Sequence, residues 1–237
     1  MLEVDDLHAF YGASHVVQGV TFSIERGEAV ALMGRNGVGK TSTLKSIIGL
    51  ETRTTGAVRF DGRSVTGVAA HNRAARGLGY VPEERAVFAD MTVEENIRIG
   101  ALVHNHVKPS DCLDAAYTLF PILRERRQQM AGTLSGGQQK MLGLARALAL
   151  QPKLLMVDEP SEGLMPANVE LITDALLHAT QAGLTILVVD SSFDLLRTLC
   201  SRLYAMDRGV LIGMYRPSDF AGPDELAATI LGEGSAE

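Results

Sequence analysis

Lys40 and Thr41 close the run Gly34-Arg35-Asn36-Gly37-Val38-Gly39-Lys40-Thr41, which Ser42 extends, and far along the chain Asp158 and Glu159 stand side by side. Glycines at 34, 37 and 39 open backbone angles closed to other residues, so successive N–H groups can turn inward on an anion. A helix beginning near Lys40 adds the positive end of its dipole. In this arrangement Lys40 reaches the β- and γ-phosphates of a bound nucleotide, and the Thr41 hydroxyl takes one coordination position on Mg²⁺. The pattern points to a nucleoside triphosphate; an ordinary glycine turn before a helix is the plain alternative.

Asp158 and Glu159 follow the apolar run Leu154-Leu155-Met156-Val157. A carboxylate at the end of a buried parallel strand beside a phosphate loop can hold Mg²⁺. Alternation along the strand sends Glu159 to the opposite side, where it could orient or deprotonate an attacking water. The competing view is that both acids cap a strand-to-helix turn. Ser135-Gly136-Gly137-Gln138 is a second glycine-rich helix start, and so a second candidate anion site. With one triphosphate already on the Lys40 loop, it has no obvious ligand unless another chain supplies one. On spacing alone it is equally a common helix cap. Tyr11, expected in a loop between two strands, could stack on adenine, or simply cover a sheet edge. His104 and His106 flank Asn105 at a spacing that can bind metal, but no acidic or cysteine companion is near, and a solvated loop is favoured.

The elements that must position these residues alternate between strand and helix. Ala29–Met33 is short and wholly apolar, a buried strand leading into the glycine loop, and Leu44, Ile47 and Ile48 behind it have helical spacing. Before it lie short strands at Leu2–Val4, Val16–Val17 and Val20–Ile24. After it come a strand over Ala57–Phe60 with a turn at Asp61-Gly62, a short basic helix over 71–76, and a strand over Gly77–Val81. From 84 to 131 no strand is convincing. Thr92 and Glu95 form a capping box for a helix reaching about Leu102, and a second helix from Ser110 is interrupted by Pro121. Met141, Leu142, Leu144, Ala145 and Leu148 make a broad apolar helical face behind Gln138. A helix over Val169–His178, a strand over Thr185–Val189, a helix to Leu199, a strand pair about Arg208-Gly209 and a helix near Asp224–Leu231 complete the chain. The order reads as an α/β core with an inserted helical lobe.

The 237 residues suffice for one domain with a sizeable core, and the formal net charge is −6. Interspersed charge of that sign leaves no electrostatic footprint for nucleic acid. Cys112 and Cys200 are far apart and are expected to be reduced thiols. The acidic, alternating amino terminus does not resemble a signal peptide, and no apolar stretch is long enough to span a bilayer. A soluble protein is expected, with any membrane role supplied by a partner.

Together these motifs resemble the ATP-binding-cassette ATPases over essentially the whole chain. The Ser135–Gln138 signature is the most specific of them. Tyr80-Val81-Pro82-Glu83-Glu84-Arg85, Val87-Phe88, Met91–Asn96 and Asp158–Leu164 look like the shorter ATP-binding subunit of branched-chain amino acid, urea or amide importers. The resemblance implies one domain over 1–237, with a P-loop NTPase (RecA-like) core of mainly parallel sheet and an antiparallel β subdomain over 1–82 and 151–237. A helical subdomain over 83–150 would carry the signature. It implies ATP with Mg²⁺, and a head-to-tail dimer in which one chain's Lys40 loop and the other's Ser135–Gln138 enclose each ATP. Tyr11 matches the adenine-stacking aromatic. Implied partners are membrane permease subunits, an identical or sister ATPase and, indirectly, a solute-binding protein, with this chain on the inner membrane face. Two positions depart from the family. Glu83, carried over as a metal ligand beside Thr41 and Asp158, stands where most cassettes have a glutamine at the junction of core and helical lobe, and Ser191 stands where a histidine contacts the γ-phosphate. A hydroxyl is shorter than imidazole and does not titrate near neutrality. On that ground the alternative is a clamp of weak hydrolysis beside a stronger sister subunit. Cassettes acting on DNA or ribosomes would need a coiled-coil insertion or a second cassette, and neither is seen in this sequence.

Overall fold

The computed structural model describes residues 1–51, 53–84, 86–103 and 107–231. The His104/His106 pair therefore lies outside the described residues. In chain order the strands and α-helices are β1 (Leu2–Tyr11), β2 (Ser14–Ile24), β3 (Ala29–Met33), α1 (Lys40–Ile48), β4 (Thr54–Phe60), β5 (Arg63–Ser64), α2 (Ala70–Ala75) and β6 (Leu78–Val81). There follow α3 (Val93–Val103), α4 (Pro109–Leu119), α5 (Pro121–Glu125), α6 (Gly136–Ala149), β7 (Leu154–Asp158), α7 (Pro166–Gln181), β8 (Thr185–Val189) and α8 (Phe193–Leu199). The last are β9 (Arg202–Asp207), β10 (Val210–Tyr215) and α9 (Pro223–Leu231).

Two sheets carry the molecule: an antiparallel one in the order β2-β1-β4-β5, and a six-stranded one in the order β10-β9-β3-β8-β7-β6. In the latter β9, β3, β8, β7 and β6 run parallel, and only β10 is antiparallel. Every residue of β3, β7 and β8 is buried, because the large sheet is covered on both faces. Ala29, Ala31, Val157, Ile186 and Val188 pack into the core shared with α3, α4 and α6. Val30, Leu32, Met156, Leu187 and Val189 face the core shared with α1 and the antiparallel sheet. The fold is thus the expected α/β class. The helices α3 to α6 fall between β6 and β7, and within 84–131 the one extended pairing among described residues is an isolated Thr92–Met130 bridge.

β1 and β2 run longer than their apolar patterns suggest. Leu2 and Val4 are buried, and so are Leu7 and Ala9, but the two pairs are out of phase by one residue. A bulge absorbs the shift: the register breaks between Val4 and Leu7, and Asp6 adopts φ 47°. Tyr11 consequently ends β1, paired with Ser14, rather than occupying a loop. Beyond the interrupting Pro121 the chain resumes helix as α5, with the proline in its first turn, where a missing N–H costs nothing.

Candidate functional site

β3 is central, and the glycine loop leaves its carboxyl end. In the strand order β8 lies between β3 and β7, so the loop and the two carboxylates reach the same sheet edge from strands two apart. Gly34 (φ 152°) and Gly39 (φ 109°) are the tight points: a side chain at 34 would collide with the Met206 carbonyl, and one at 39 would stand 2.7 Å from that of Val16. No L-residue fits either. Gly37 also has positive φ, at 82°. α1 begins at Lys40 behind Gly39, with no side-chain cap at its first turn.

Lys40 is only 5% exposed, and its Nζ donates to the carbonyls of Gly34 (2.9 Å) and Arg35 (3.2 Å), 3.3 Å from Glu159 Oε1. Thr41 Oγ1 donates to Asp158 Oδ1 at 3.1 Å, and the Tyr80 hydroxyl donates to Asp158 Oδ2 at 3.1 Å. Both acids therefore face the glycine loop. The expectation that Glu159 points to the opposite side is corrected, since period-two alternation ends with the strand. Glu159 lies one residue past β7 with φ 45°, and that turn swings its side chain back to Lys40. Burial pushes the Glu159 carboxyl up against the opposing pull of Lys40. Burial likewise raises Asp158, although the Thr41 and Tyr80 hydroxyls favour its charged form.

A cleft of about 350 Å³ lies over these groups, lined among others by Val16, Asn36, Lys40, Thr41, Ser42 and Glu83, with Glu159 and Glu162 closing it. Glu83 is hydrogen-bonded to Glu162, and this contact, burial and the neighbouring carboxylates raise its pKa to about 7. Thr41, Asp158 and Glu83 offer oxygen donors only, a set that suits a hard divalent cation such as Mg²⁺ completed by phosphate oxygens. Among the described residues no group of three or more His, Cys, Asp or Glu could hold a metal unaided.

The remaining candidate residues lie apart from this cleft. Tyr11 is 77% exposed at the β1–β2 turn. Ser191 is exposed just past β8, beside the buried Asp190. Ser135 and Gln138 form a closed capping box on α6, Ser135 N donating to Gln138 Oε1 (3.2 Å) and Gln138 N to Ser135 Oγ (3.4 Å). Gly137 packs on Asn168 and Leu164 at the start of α7, while Gly136 faces open space. Sequence reasoning missed Tyr80 as a partner of Asp158; a tyrosine at the end of a covered strand, whose hydroxyl needs a partner when buried, was the available signal. It also missed Glu162 at the cleft and the bonds from Ser161 N (2.9 Å) and Ser161 Oγ (2.6 Å) to Asp190.

The sequence profile of the ABC transporter family matches residues 17–162. The chain is 34% identical over 212 residues to the high-affinity branched-chain amino acid transport ATP-binding protein BraG of Pseudomonas aeruginosa, covering 90% of this chain and 91% of that one. It is 37% identical to the probable branched-chain amino acid transport ATP-binding protein LivF of Archaeoglobus fulgidus, over 88% and 89% of the two chains. It is also 30% identical to the lipopolysaccharide export system ATP-binding protein LptB of Haemophilus influenzae, over 98% of each. A solved ATP-binding subunit of an ABC transporter superposes with a TM-score of 0.86 at 27% identity, over 98% of this chain and 99% of the other.

Proposed function

The chain belongs to the ABC transporter family of ATP-binding subunits, and from that premise we propose that it powers uptake of a branched-chain amino acid or a related small polar solute. It is an ATPase subunit of a transporter. The observation that carries the mechanism is the convergence of Lys40 with Glu159 and of Thr41 with Asp158 at one sheet edge. The solute rests on the higher identity to the branched-chain relatives than to the lipopolysaccharide export relative.

ATP is held by the N–H groups of residues 34–42 and by Lys40, with Tyr11 on the adenine. A triphosphate that engages Lys40 competes with Glu159 for it, and so frees that carboxylate at the moment an anion needing attack arrives. Glu159 then orients a water, and accepts its proton, for in-line displacement at the γ-phosphate; burial favours that role by raising its proton affinity. Mg²⁺, held by Thr41 and Asp158 with Glu83 at the rim, would neutralise charge on the phosphates. Each ATP is completed by the Ser135–Gln138 end of a second copy or sister subunit. The cassette sits on the inner membrane face, where α3 to α5 dock on a permease that receives solute from a binding protein. Among the described residues no helix is long and apolar enough to cross a membrane. A second reading, an ATP clamp of weak turnover beside a stronger sister, is favoured by Ser191 alone.

The test is a strain lacking the chain, complemented with the parent or with Glu159→Gln. Glu159→Gln should bind ATP like the parent, trap a closed dimer, and lose turnover by about 10²–10⁴-fold. Uptake of labelled leucine should be restored by the parent alone. Parental turnover in the variant would remove Glu159 from the mechanism. Normal leucine uptake without the chain would remove the solute.

A further inference from the structure

Lys140 lies one turn into α6, just past the capping box, and its Nζ reaches out of the helical layer. It donates to the Glu159 carbonyl at 2.6 Å and to the Glu162 carbonyl at 2.9 Å. These two acceptors bracket the turn that follows β7, whose first residue holds a left-handed φ of 45°. A non-glycine residue in that conformation is strained, so the turn persists only if its surroundings hold it. Asp190 at the end of β8 holds its middle through Ser161. Lys140 holds both its ends.

Burial lowers the proton affinity of the Lys140 amine, against the opposing pull of Glu162, Asp190, Glu83 and Glu159. Lys40 is the other cation at Glu159, and on the reading above a triphosphate draws it away. Lys140 bonds to backbone carbonyls instead, which no phosphate displaces.

We infer that Lys140 is a positioning residue: it fixes the Glu159–Glu162 turn for attack by water, and locks that turn to the helix whose first residues meet the opposite chain's ATP. Engagement of Ser135–Gln138 by one nucleotide is thereby transmitted to the carboxylate serving the other. The inference rests on the ATPase reading for its consequence, but its structural half stands alone.

The experiment compares the full chain with Lys140→Met, Lys140→Gln and Lys140→Arg. In Lys140→Met, kcat should fall about tenfold or more while KM for ATP stays within about twofold, because a displaced catalytic group slows chemistry without loosening the phosphate site. Lys140→Arg should recover most of the loss. Amide hydrogen exchange should quicken in peptides covering 159–164 and stay unchanged in those covering 34–48. Lys140→Gln substitutes if the methionine variant does not fold, with an intermediate effect expected from its shorter donor. Unaltered exchange over 159–164 overturns the inference whatever the activity, and so does a kcat loss that Lys140→Arg leaves uncorrected. A parent without ATPase activity would instead sink the ATPase reading, leaving the exchange result to decide on Lys140.

Discussion

The two glycine-rich helix starts, at Lys40 and at Gly136, look alike in sequence and differ in what their backbone does. The first opens α1 behind Gly39 with no side-chain cap, its glycines at positive φ and its lysine buried beneath the loop. The second opens α6 with a capping box that serves the N–H groups of Ser135 and Gln138 and leaves those of Gly136 and Gly137 outside it. On the proposed function, the loop at α1 is the cradle for an anion. The start of α6 is held by its own box, and on the proposed function a phosphate there would meet the two glycine N–H groups the box leaves out. On that reading the phosphate belongs to a triphosphate held by a second chain's Lys40 loop.

Substitutions that separate shape from charge sharpen this contrast. Gly34→Ala drives a methyl into the Met206 carbonyl. It should cost at least about 2 kcal/mol, read as a lower Tm, and abolish ATP binding with it. Gly136→Asp meets nothing within contact distance and adds an acid to a helix first turn. Stability should hold or rise by about 0.3–1 kcal/mol. Turnover should nonetheless fall by roughly 10–100-fold, because in the proposed dimer the new charge would face the phosphate of the opposite chain. Mixing Gly136→Asp with Glu159→Gln in equal amounts should return about a quarter of parental turnover, since half the dimers then hold one intact composite site. Intact turnover in Gly136→Asp would mean that the α6 start is a cap and nothing more.

The smallest expected effect concerns pH. Glu83 titrates near 7 in the folded chain, against 4.5 for an ordinary glutamate. The folded state therefore binds the proton more tightly than the unfolded one. The stability this contributes is full below about 4.5 and declines as pH rises to about 7, beyond which it is gone. Tm measured without divalent cations should drop between pH 5 and 8 in the parent, and less steeply in Glu83→Gln. Equal slopes would show that the Glu83–Glu162 contact carries no shared proton.

Local chemistry was legible where it depends on neighbours in sequence. The Thr92–Glu95 capping box, the Asp61-Gly62 and Arg208-Gly209 turns, and the apolar runs of β3, β7 and β8 follow from residue type and spacing. The bulge at Asp6 was legible only as a phase slip between Leu2/Val4 and Leu7/Ala9, which reads equally well as a strand break. Glu159 was misdirected because alternation describes a strand and says nothing of the residue after it.

The sequence by itself determined the chemistry available: a glycine loop ending in lysine and threonine, a carboxylate pair behind a buried strand, and a second glycine helix start with its own cap. Backbone freedom, hydrogen-bonding groups and hydrophobic period are properties of short segments, so they survive without the fold. Tertiary structure decided which of these groups meet. The order β3-β8-β7 brings Asp158 to Thr41 and Glu159 to Lys40. The packing of α6 likewise lets Lys140 reach the turn that follows β7. Separations of this length along the chain carry no record of distance in space, because only the packing of the strands converts one into the other.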